Sequence, residues 1–444
     1  MSYSPEIQKA LAVAWHPDTA DKSLERWFEL LHQENWDLSV EALALMTSLF
    51  GASWYFTRFC FYRGNKIIRF FDEDMQDVSV VESSLEELKQ FSPDCSDNGL
   101  RDEAIEQLRI RKNEIMLSIL LLQLGSVINQ EQAEVLLTRL AENVLVVMFR
   151  LFGFEQLENI QCIILAMGRL AGFEMNYGSD LDLIFIEKTL DPASDDHIVN
   201  KIRKMLRTIS TMDPSGSLYE IDMRLRPHGS SGVLVTPLDS FLQFHQGGRE
   251  IWERQMMTRC RVVAGNKKMS EQVNNEILNN VYGEYETSYL AKEIMKMRLL
   301  VEQELAGGKD KIELKRGKGG IMDIDFLTHF LQLAYGNKYP QLRNSSTRFV
   351  LLESANLVLI NERTKTELLT AYNFYKQSES ALRVFDMKSI SIVGMNTKSL
   401  LPLARTLGFV DDDYDKAVEQ YQEKLMQYRD HVRQMFESIL TDAI

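Results

Sequence analysis

The chain has 444 residues, which at about 100–200 residues per domain is enough for two to four domains. Its 50 Lys and Arg residues are outnumbered by 64 Asp and Glu residues, for a formal net charge of −14. This charge excludes a protein that coats nucleic acid or an anionic membrane, because such binding depends on clustered positive charge. We therefore expect neither nucleic acid nor membrane as a partner.

The cysteines and the N-terminal residues indicate in which cellular compartment the protein is expected. Cys60, Cys95, Cys162 and Cys260 are scattered without a CxxC pair, which is typical of a reduced setting. The first residues lack the basic start and apolar stretch of a signal peptide. The most apolar window, residues 115–128, is too short to span a bilayer. We expect a cytoplasmic protein in which this window is a buried helix.

Residues 1–150 show the periodicity of packed helices. Apolar residues recur at a spacing of three to four, as at Leu24, Trp27 and Leu31. Basic residues within 109–112 interrupt a later apolar stripe and are expected to form a solvated face. The first 110 residues contain 20 acids and 10 bases, so most of the negative charge lies here.

Residues 151–284 have a different pattern. The apolar run 162–167 and the alternating run 181–186 predict buried strands, and a helix is predicted at 197–212. A turn at 213–216 and a third strand at 218–225 follow along the chain. Strand, helix and strand in close succession predict a small α/β sheet.

Residues 285–444 return to a helical pattern, broken by the glycine-rich stretch 316–320. The predicted fold class is thus α+β and mostly helical. We expect an N-terminal helical region (1–150), a central α/β domain (151–284) and a C-terminal helical bundle (285–444).

Three aspartates on the predicted strands carry the chemical signal. Asp180 and Asp182 are separated by one residue, so a strand places both carboxylates on one face. Asp222 lies on the polar face of the next strand. Three carboxylates together repel one another, and divalent cations compensate for this. Two Mg²⁺ or Mn²⁺ ions about 3.5–4 Å apart could activate a hydroxyl and stabilise a leaving pyrophosphate.

Residues around the aspartates are suited to phosphate. Gly168 ends the first strand and permits a close approach of phosphate to backbone N–H groups. Arg224 and Arg226 follow Asp222 on the same face, and guanidinium groups bind phosphate through two hydrogen bonds. Residues 201–265 contain ten bases and six acids, a local positive charge that favours an anionic nucleotide.

These blocks resemble glutamine synthetase adenylyltransferase. The resemblance is carried by AMGRLAGFEMNYGSDLDLIF (166–185) and LYEIDMRLRPHGSSGVLV (218–235). It extends to WERQ (252–255), RCRVVAG (259–265) and LKRGKGGIMDIDF (314–326). In some form it covers most of the chain, and the central blocks are highly specific.

The resemblance implies a DNA polymerase beta-like nucleotidyltransferase domain framed by helices. Asp180 and Asp182 would hold both metal ions, and Asp222 would complete the ion nearest the attacking oxygen and help to deprotonate it. The remaining implied contacts are to the nucleotide, with Gly168, Arg169 and Ser179 near the phosphates and Lys315 and Arg316 closing over the nucleotide. A second Asp-x-Asp pair, Asp323 and Asp325, is expected to be structural because it begins a helix.

The chain departs from the family in length. The familiar enzyme has two catalytic halves, one that attaches AMP to a tyrosine of glutamine synthetase and one that removes it by phosphorolysis, whereas one half is present here. The block at 166–185 resembles the attaching half, while that at 218–235 fits either. The chain is expected to be a fragment or, given Met1, a short free-standing relative.

The function expected from these features is metal-dependent transfer of AMP from ATP to a tyrosine hydroxyl of glutamine synthetase. The alternatives are phosphorolytic removal of that AMP, uridylyl transfer to a PII signalling protein, and a non-catalytic nucleotide sensor or scaffold. PII is also a possible regulatory partner of the adenylyltransferase.

Overall fold

The computed structural model describes residues 3–34, 38–72, 76–93, 97–155, 157, 160–189, 195–213, 216–246, 250–304 and 311–444. Cys95 and part of the predicted turn at 213–216 lie outside these residues. Within them the protein is mostly helical with a small mixed sheet, so the predicted α+β class is confirmed.

Helices account for most of the N-terminal region, as predicted. They are α1 (Pro5–Val13), α2 (Pro17–Glu34), α3 (Val40–Ala52), α4 (Trp54–Arg63), α5 (Val78–Gln90), α6 (Asn98–Leu124) and α7 (Gln130–Leu151). Asn129 begins α7 with a capping box, in which its side chain and that of Gln132 each accept from the other's backbone N–H. Leu24 and Trp27 are fully buried in the core of this region.

The expected solvated face at 109–112 is only partly present. Arg111 is exposed, but Arg109 and Lys112 are buried at 8% and 5% exposure. The prediction was wrong for these two residues because α6 is covered by the central domain. Arg109, for example, forms an ion pair with Asp213.

The strands of the central sheet in the described chain are β1 (Ile160–Met167), β2 (Leu181–Thr189), β3 (Ile221–Asp222), β4 (Val235–Pro237) and β5 (Cys260–Gly265). Four of them lie in the order β3-β2-β1-β5, and the short strand β4 pairs with β2. β1 runs antiparallel to β2 and β5, whereas β3 and β4 run parallel to β2. The accompanying helices are α8 (Gly168–Ala171), α9 (Asp195–Ser210), α10 (Leu238–Gln246) and α11 (Ile251–Met257).

The third predicted strand is much shorter than expected. The pattern at 218–225 predicts eight residues, but only Ile221 and Asp222 pair with β2. Beyond Asp222 the chain turns, and the Arg226 guanidinium donates to the backbone oxygens of Met223, Ser230 and Gly232. This local hydrogen bonding ends the strand.

Both faces of the sheet are buried, each against a different set of helices. Leu181, Leu183 and Phe185 pack into the core of the N-terminal helices. Ile184 and Ile186 point the other way and pack against the C-terminal helices. Asp182 therefore lies on the face covered by the C-terminal half of the chain.

The C-terminal part is a helical bundle with a small ribbon that the sequence did not predict. The helices are α12 (Lys267–Val281), α13 (Thr287–Gln303), α14 (Ile321–Tyr335), α15 (Thr347–Asn356), α16 (Glu362–Val384), α17 (Thr397–Thr406) and α18 (Tyr414–Asp442). The antiparallel ribbon pairs β6 (Lys311–Glu313) with β7 (Ile392–Gly394). Among the described helices, none combines the length and apolarity required to cross a bilayer.

A buried cluster of ions joins the three parts of the chain. Glu174, after α8, is 1% exposed and accepts hydrogen bonds from Arg259, from the Tyr372 hydroxyl at 2.7 Å and from the Thr347 backbone at 2.8 Å. Burial alone would raise the pKa of Glu174, but neighbouring cations, Arg259 foremost, outweigh it and hold the pKa well below its usual value. Glu174 is thus ionised and bound both to the residue that precedes β5 and to the C-terminal helices.

Glu174→Gln should lower the free energy of unfolding by about 3–5 kcal/mol at pH 7, because it removes one charge from a buried, hydrogen-bonded cluster. A carboxylate whose pKa is lower in the folded state than in the unfolded state stabilises the fold. This stabilisation is fully present above the pKa of the unfolded state and is lost as the pH falls. The loss should therefore shrink below about pH 4.5. Denaturant titration measures this loss, with the exposed Glu271→Gln as the control expected to match the wild type. An equal loss at pH 7 and pH 3 would contradict the electrostatic explanation.

Candidate active site

Two of the three predicted aspartates are register partners on neighbouring strands. The parallel pairing of β3 with β2 sets Asp182 opposite Asp222 and Leu181 opposite Ile221. Leu181 is fully buried in the N-terminal core, so the alternation of the strand turns Asp182 to the opposite face. Asp180 immediately precedes β2. The strand pairing thus gathers the three carboxylates at one end of the sheet.

Gly168 lies against Asp182, directly after β1. Its φ is +56°, in the left-handed region that favours glycine. A Cβ built at this position would meet the Asp182 Oδ2 atom at 3.0 Å. A side chain here would be both strained and crowded by the carboxylate. The glycine therefore keeps the space beside Asp182 open.

The environment of Asp182 disfavours its charge. Burial and the nearby carboxylates of Asp222 and Asp180 raise its pKa to about 6, although the positive charge of Lys315 opposes the shift. Lys315 is half-buried, and burial lowers the pKa of its amine. The structure therefore brings Lys315, from the loop after β6, within electrostatic reach of the aspartates.

Arg224 binds Asp222 directly. Its Nε donates to both carboxylate oxygens at 2.8 and 3.0 Å, and its backbone N–H donates to Oδ1 at 2.8 Å. Hydrogen bonding from Arg224 is the main reason that the pKa of Asp222 is lowered. The side chain of Arg224 is 76% exposed, so it can leave Asp222 without disturbing a core.

Three predicted phosphate contacts have other partners in this structure. The Arg169 guanidinium donates to the Tyr372 hydroxyl at 2.6 Å and pairs with Glu174 in the buried ion cluster. Arg226 holds the loop that follows β3, as described above. The Ser179 hydroxyl is buried and accepts from the Asn176 backbone and from Arg383. Their contacts order the loops beside the aspartates.

The three aspartates offer carboxylate oxygens to a divalent cation. Carboxylate oxygens are the ligands that Mg²⁺ prefers, and the pKa of Asp182 is raised by burial and, to a lesser extent, by the charges of Asp222 and Asp180. Within the described residues, however, no three His, Cys, Asp or Glu side chains are grouped closely enough to hold one ion. Asp222 instead faces Arg224. The carboxylates are chemically suited to Mg²⁺. For Asp222 to bind the ion, its carboxylate would have to give up its hydrogen bonds to Arg224.

Sequence reasoning missed two residues of α16 that act on this site. Arg383 donates to Ser179 at 3.1 Å, and Glu379 pairs with Arg383 at 2.8 Å while its charge acts on Lys315. They lie about 200 positions after the aspartates, and their helical pattern carries no motif. By contrast, Asp323 and Asp325 are structural as predicted, paired with Arg298 and Arg259.

Comparison with known proteins identifies the family. Residues 43–276 match the family model described as glutamate-ammonia ligase adenylyltransferase, which is more than half of the chain. The chain belongs to the glutamate-ammonia ligase adenylyltransferase family. Residues 293–440 match a second model, described as GlnD PII-uridylyltransferase.

Relatives carry the name bifunctional glutamine synthetase adenylyltransferase/adenylyl-removing enzyme. The protein of Chromobacterium violaceum is 32% identical over 263 residues, which are 58% of this chain and 29% of that protein. The protein of Bartonella henselae is 29% identical over 328 residues, 68% of this chain and 33% of that protein. The chain thus matches about a third or less of the length of these relatives.

Asp182→Asn should stabilise the fold at pH 8 in the absence of divalent cations. The pKa of Asp182 is about 6 in the folded protein, above the ordinary value of 3.8. Above pH 6 the carboxylate is ionised and destabilises the fold, whereas below pH 4 it is protonated and does not. The expected gain is about 1–3 kcal/mol at pH 8 and close to zero at pH 3.5.

Thermal unfolding with and without Mg²⁺ measures this effect. Mg²⁺ should raise the melting temperature of the wild type but not of Asp182→Asn, because binding to the folded state alone stabilises it. Asp239→Asn, an exposed change on α10, is the control. A variant that is less stable than the wild type at pH 8 would contradict the assigned electrostatics.

Proposed function

We propose that this chain transfers AMP from ATP to a tyrosine hydroxyl of glutamine synthetase in a reaction that depends on Mg²⁺. The observation that carries the proposal is the pairing of Asp182 with Asp222 beside the open space at Gly168. Membership of the adenylyltransferase family supports ATP as the nucleotide and glutamine synthetase as the target.

In the proposed reaction the tyrosine oxygen attacks the α-phosphorus of ATP. A new P–O bond forms, the bond to the β-phosphate oxygen breaks, and pyrophosphate leaves. Asp222 accepts the phenolic proton, and Lys315 binds the triphosphate through its charge. Asp180, Asp182 and Asp222 would hold divalent cations, which supply charge neutralisation for the phosphates. Positioning and electrostatics thus provide the catalysis, without a covalent enzyme intermediate.

Arg224 has two partners in this proposal. In the free protein it neutralises Asp222, and with nucleotide bound it moves to the phosphates. Its high exposure supports such a movement, because few packing contacts oppose it. Arg169, Ser179 and Arg226 contribute by ordering the surrounding loops, which their buried hydrogen bonds support.

Two other reactions are favoured by particular observations. The relatives' name includes adenylyl removal, which supports phosphorolysis of AMP-tyrosine with phosphate as the acceptor. The match of residues 293–440 to a PII-uridylyltransferase model supports uridylyl transfer to PII. The same carboxylates would serve either reaction, so the substrates distinguish them.

Asp182→Asn and Asp222→Asn should each reduce the transfer of labelled AMP to glutamine synthetase by about 10²-fold or more, since each removes an electrostatic contact to the reacting phosphate. Circular dichroism should show both variants folded, and Asp239→Asn should retain full activity. Full activity in either site variant would exclude the proposed role of the aspartates.

Parallel incubations separate the three reactions. Unmodified glutamine synthetase with ATP, its adenylylated form with phosphate, and PII with UTP should give product in the first only. Product from the second or third alone would assign the chain to adenylyl removal or uridylyl transfer. No turnover in any incubation, with ATP still bound, would favour a nucleotide sensor.

A further inference from the structure

A cavity opens beside Asp180, on the side of the N-terminal helices. Its volume is about 700 Å³, which is enough for a nucleotide-sized molecule. Aromatic rings line it, among them Tyr55, Tyr62 and Tyr219, together with the buried Lys112. None of these residues has a part in the proposed transfer of AMP.

Lys112 is a buried cation without a counter-ion. It is 5% exposed, and no ion pair of its amine exists among the described residues. The amine donates to the Asn113 side chain at 3.2 Å and lies 5.0 Å from the centre of the Tyr219 ring. Burial lowers the pKa of Lys112 to about 7, with no neighbouring carboxylate to offset it. A buried ammonium is stabilised by an anionic partner, and among the described residues this amine has none.

A second polar group at the same wall is also unsatisfied. Tyr219 is 8% exposed, and in the described part of the chain its hydroxyl has no hydrogen-bond partner. A buried hydroxyl without a partner is likewise unfavourable. The ammonium and the hydroxyl are both donors, and Lys112 and Tyr219 are both among the residues that line the cavity. Together they suit an oxyanion with several acceptor oxygens.

The acidic residues of the cavity do not neutralise Lys112. Asp213 pairs with Arg109, and Asp386 lies 3.7 Å from the amine of Lys388. The other acids in the lining, Asp180 and Glu220, are next to the starts of β2 and β3. The cavity therefore has a basic part at Lys112 and an acidic part at the catalytic carboxylates.

We infer that this cavity binds a small phosphate-bearing molecule whose phosphate accepts hydrogen bonds from the Lys112 amine and the Tyr219 hydroxyl. The aromatic rings would contact the remainder of the ligand, as they do with nucleotide bases. This site goes beyond the proposed function, because it requires neither the transfer of AMP nor a metal ion.

Calorimetric titration of the full chain with AMP and, separately, with inorganic phosphate tests the inference. EDTA is present throughout, so that metal-dependent nucleotide binding at the aspartates does not contribute. Lys112→Met and Tyr219→Phe should each weaken binding by about 10–100-fold. Lys388→Gln is the matched control, since Lys388 lines the same cavity but is exposed, and it should bind as the wild type does.

The stability of Lys112→Met separates a binding role from a structural one. Its melting temperature should equal or exceed that of the wild type, because methionine removes a buried unpaired charge at similar volume. Stronger binding of AMP than of phosphate would assign an organic phosphate as ligand, and equal binding would assign free phosphate. Binding of neither, or unchanged binding by Lys112→Met, would overturn the inference. So would a marked fall in its melting temperature, which would make Lys112 structural.

Discussion

The buried charge of Glu174 is the constraint on which the arrangement of the site depends. It receives hydrogen bonds from Arg259, which immediately precedes β5, and from α15 and α16. The cluster continues to α7, where Glu134 pairs with Arg348 and Lys376. Breaking a buried pair costs more than its formation gains, so such a cluster specifies one arrangement of its elements. It fixes α16, which carries Arg383, relative to the aspartates.

The end of the sheet that carries the three aspartates is built in the opposite way, with unfavourable electrostatics. Burial and, after it, like charges raise the pKa of Asp182, whereas Asp222 is neutralised by an exposed arginine. Under the proposed function, uncompensated charge in the free state favours the binding of metal ions and a triphosphate, because these ligands relieve it. The stability of the ion cluster around Glu174 offsets this local cost.

Local pattern predicted much of this protein. A period of 2 residues predicted the strands at 162–167 and 181–186 and the shared face of Asp182 and Asp222. A period of 3.6 residues predicted the helices of the N-terminal and C-terminal regions. The pattern failed where long-range contacts decide. Periodicity within one sequence does not show contacts between residues that are distant along the chain. Such contacts decide the burial of Lys112 and the hydrogen bonds of Arg169 and Arg383. Likewise, the third strand is short because a side chain, Arg226, competes for its backbone.

The most direct test of the central claim is mass spectrometry of glutamine synthetase after incubation with this chain, ATP and Mg²⁺. The proposed reaction predicts a peptide whose tyrosine carries AMP, absent when Mg²⁺ is replaced by EDTA. An unmodified target under conditions in which the chain is folded and binds ATP would contradict it.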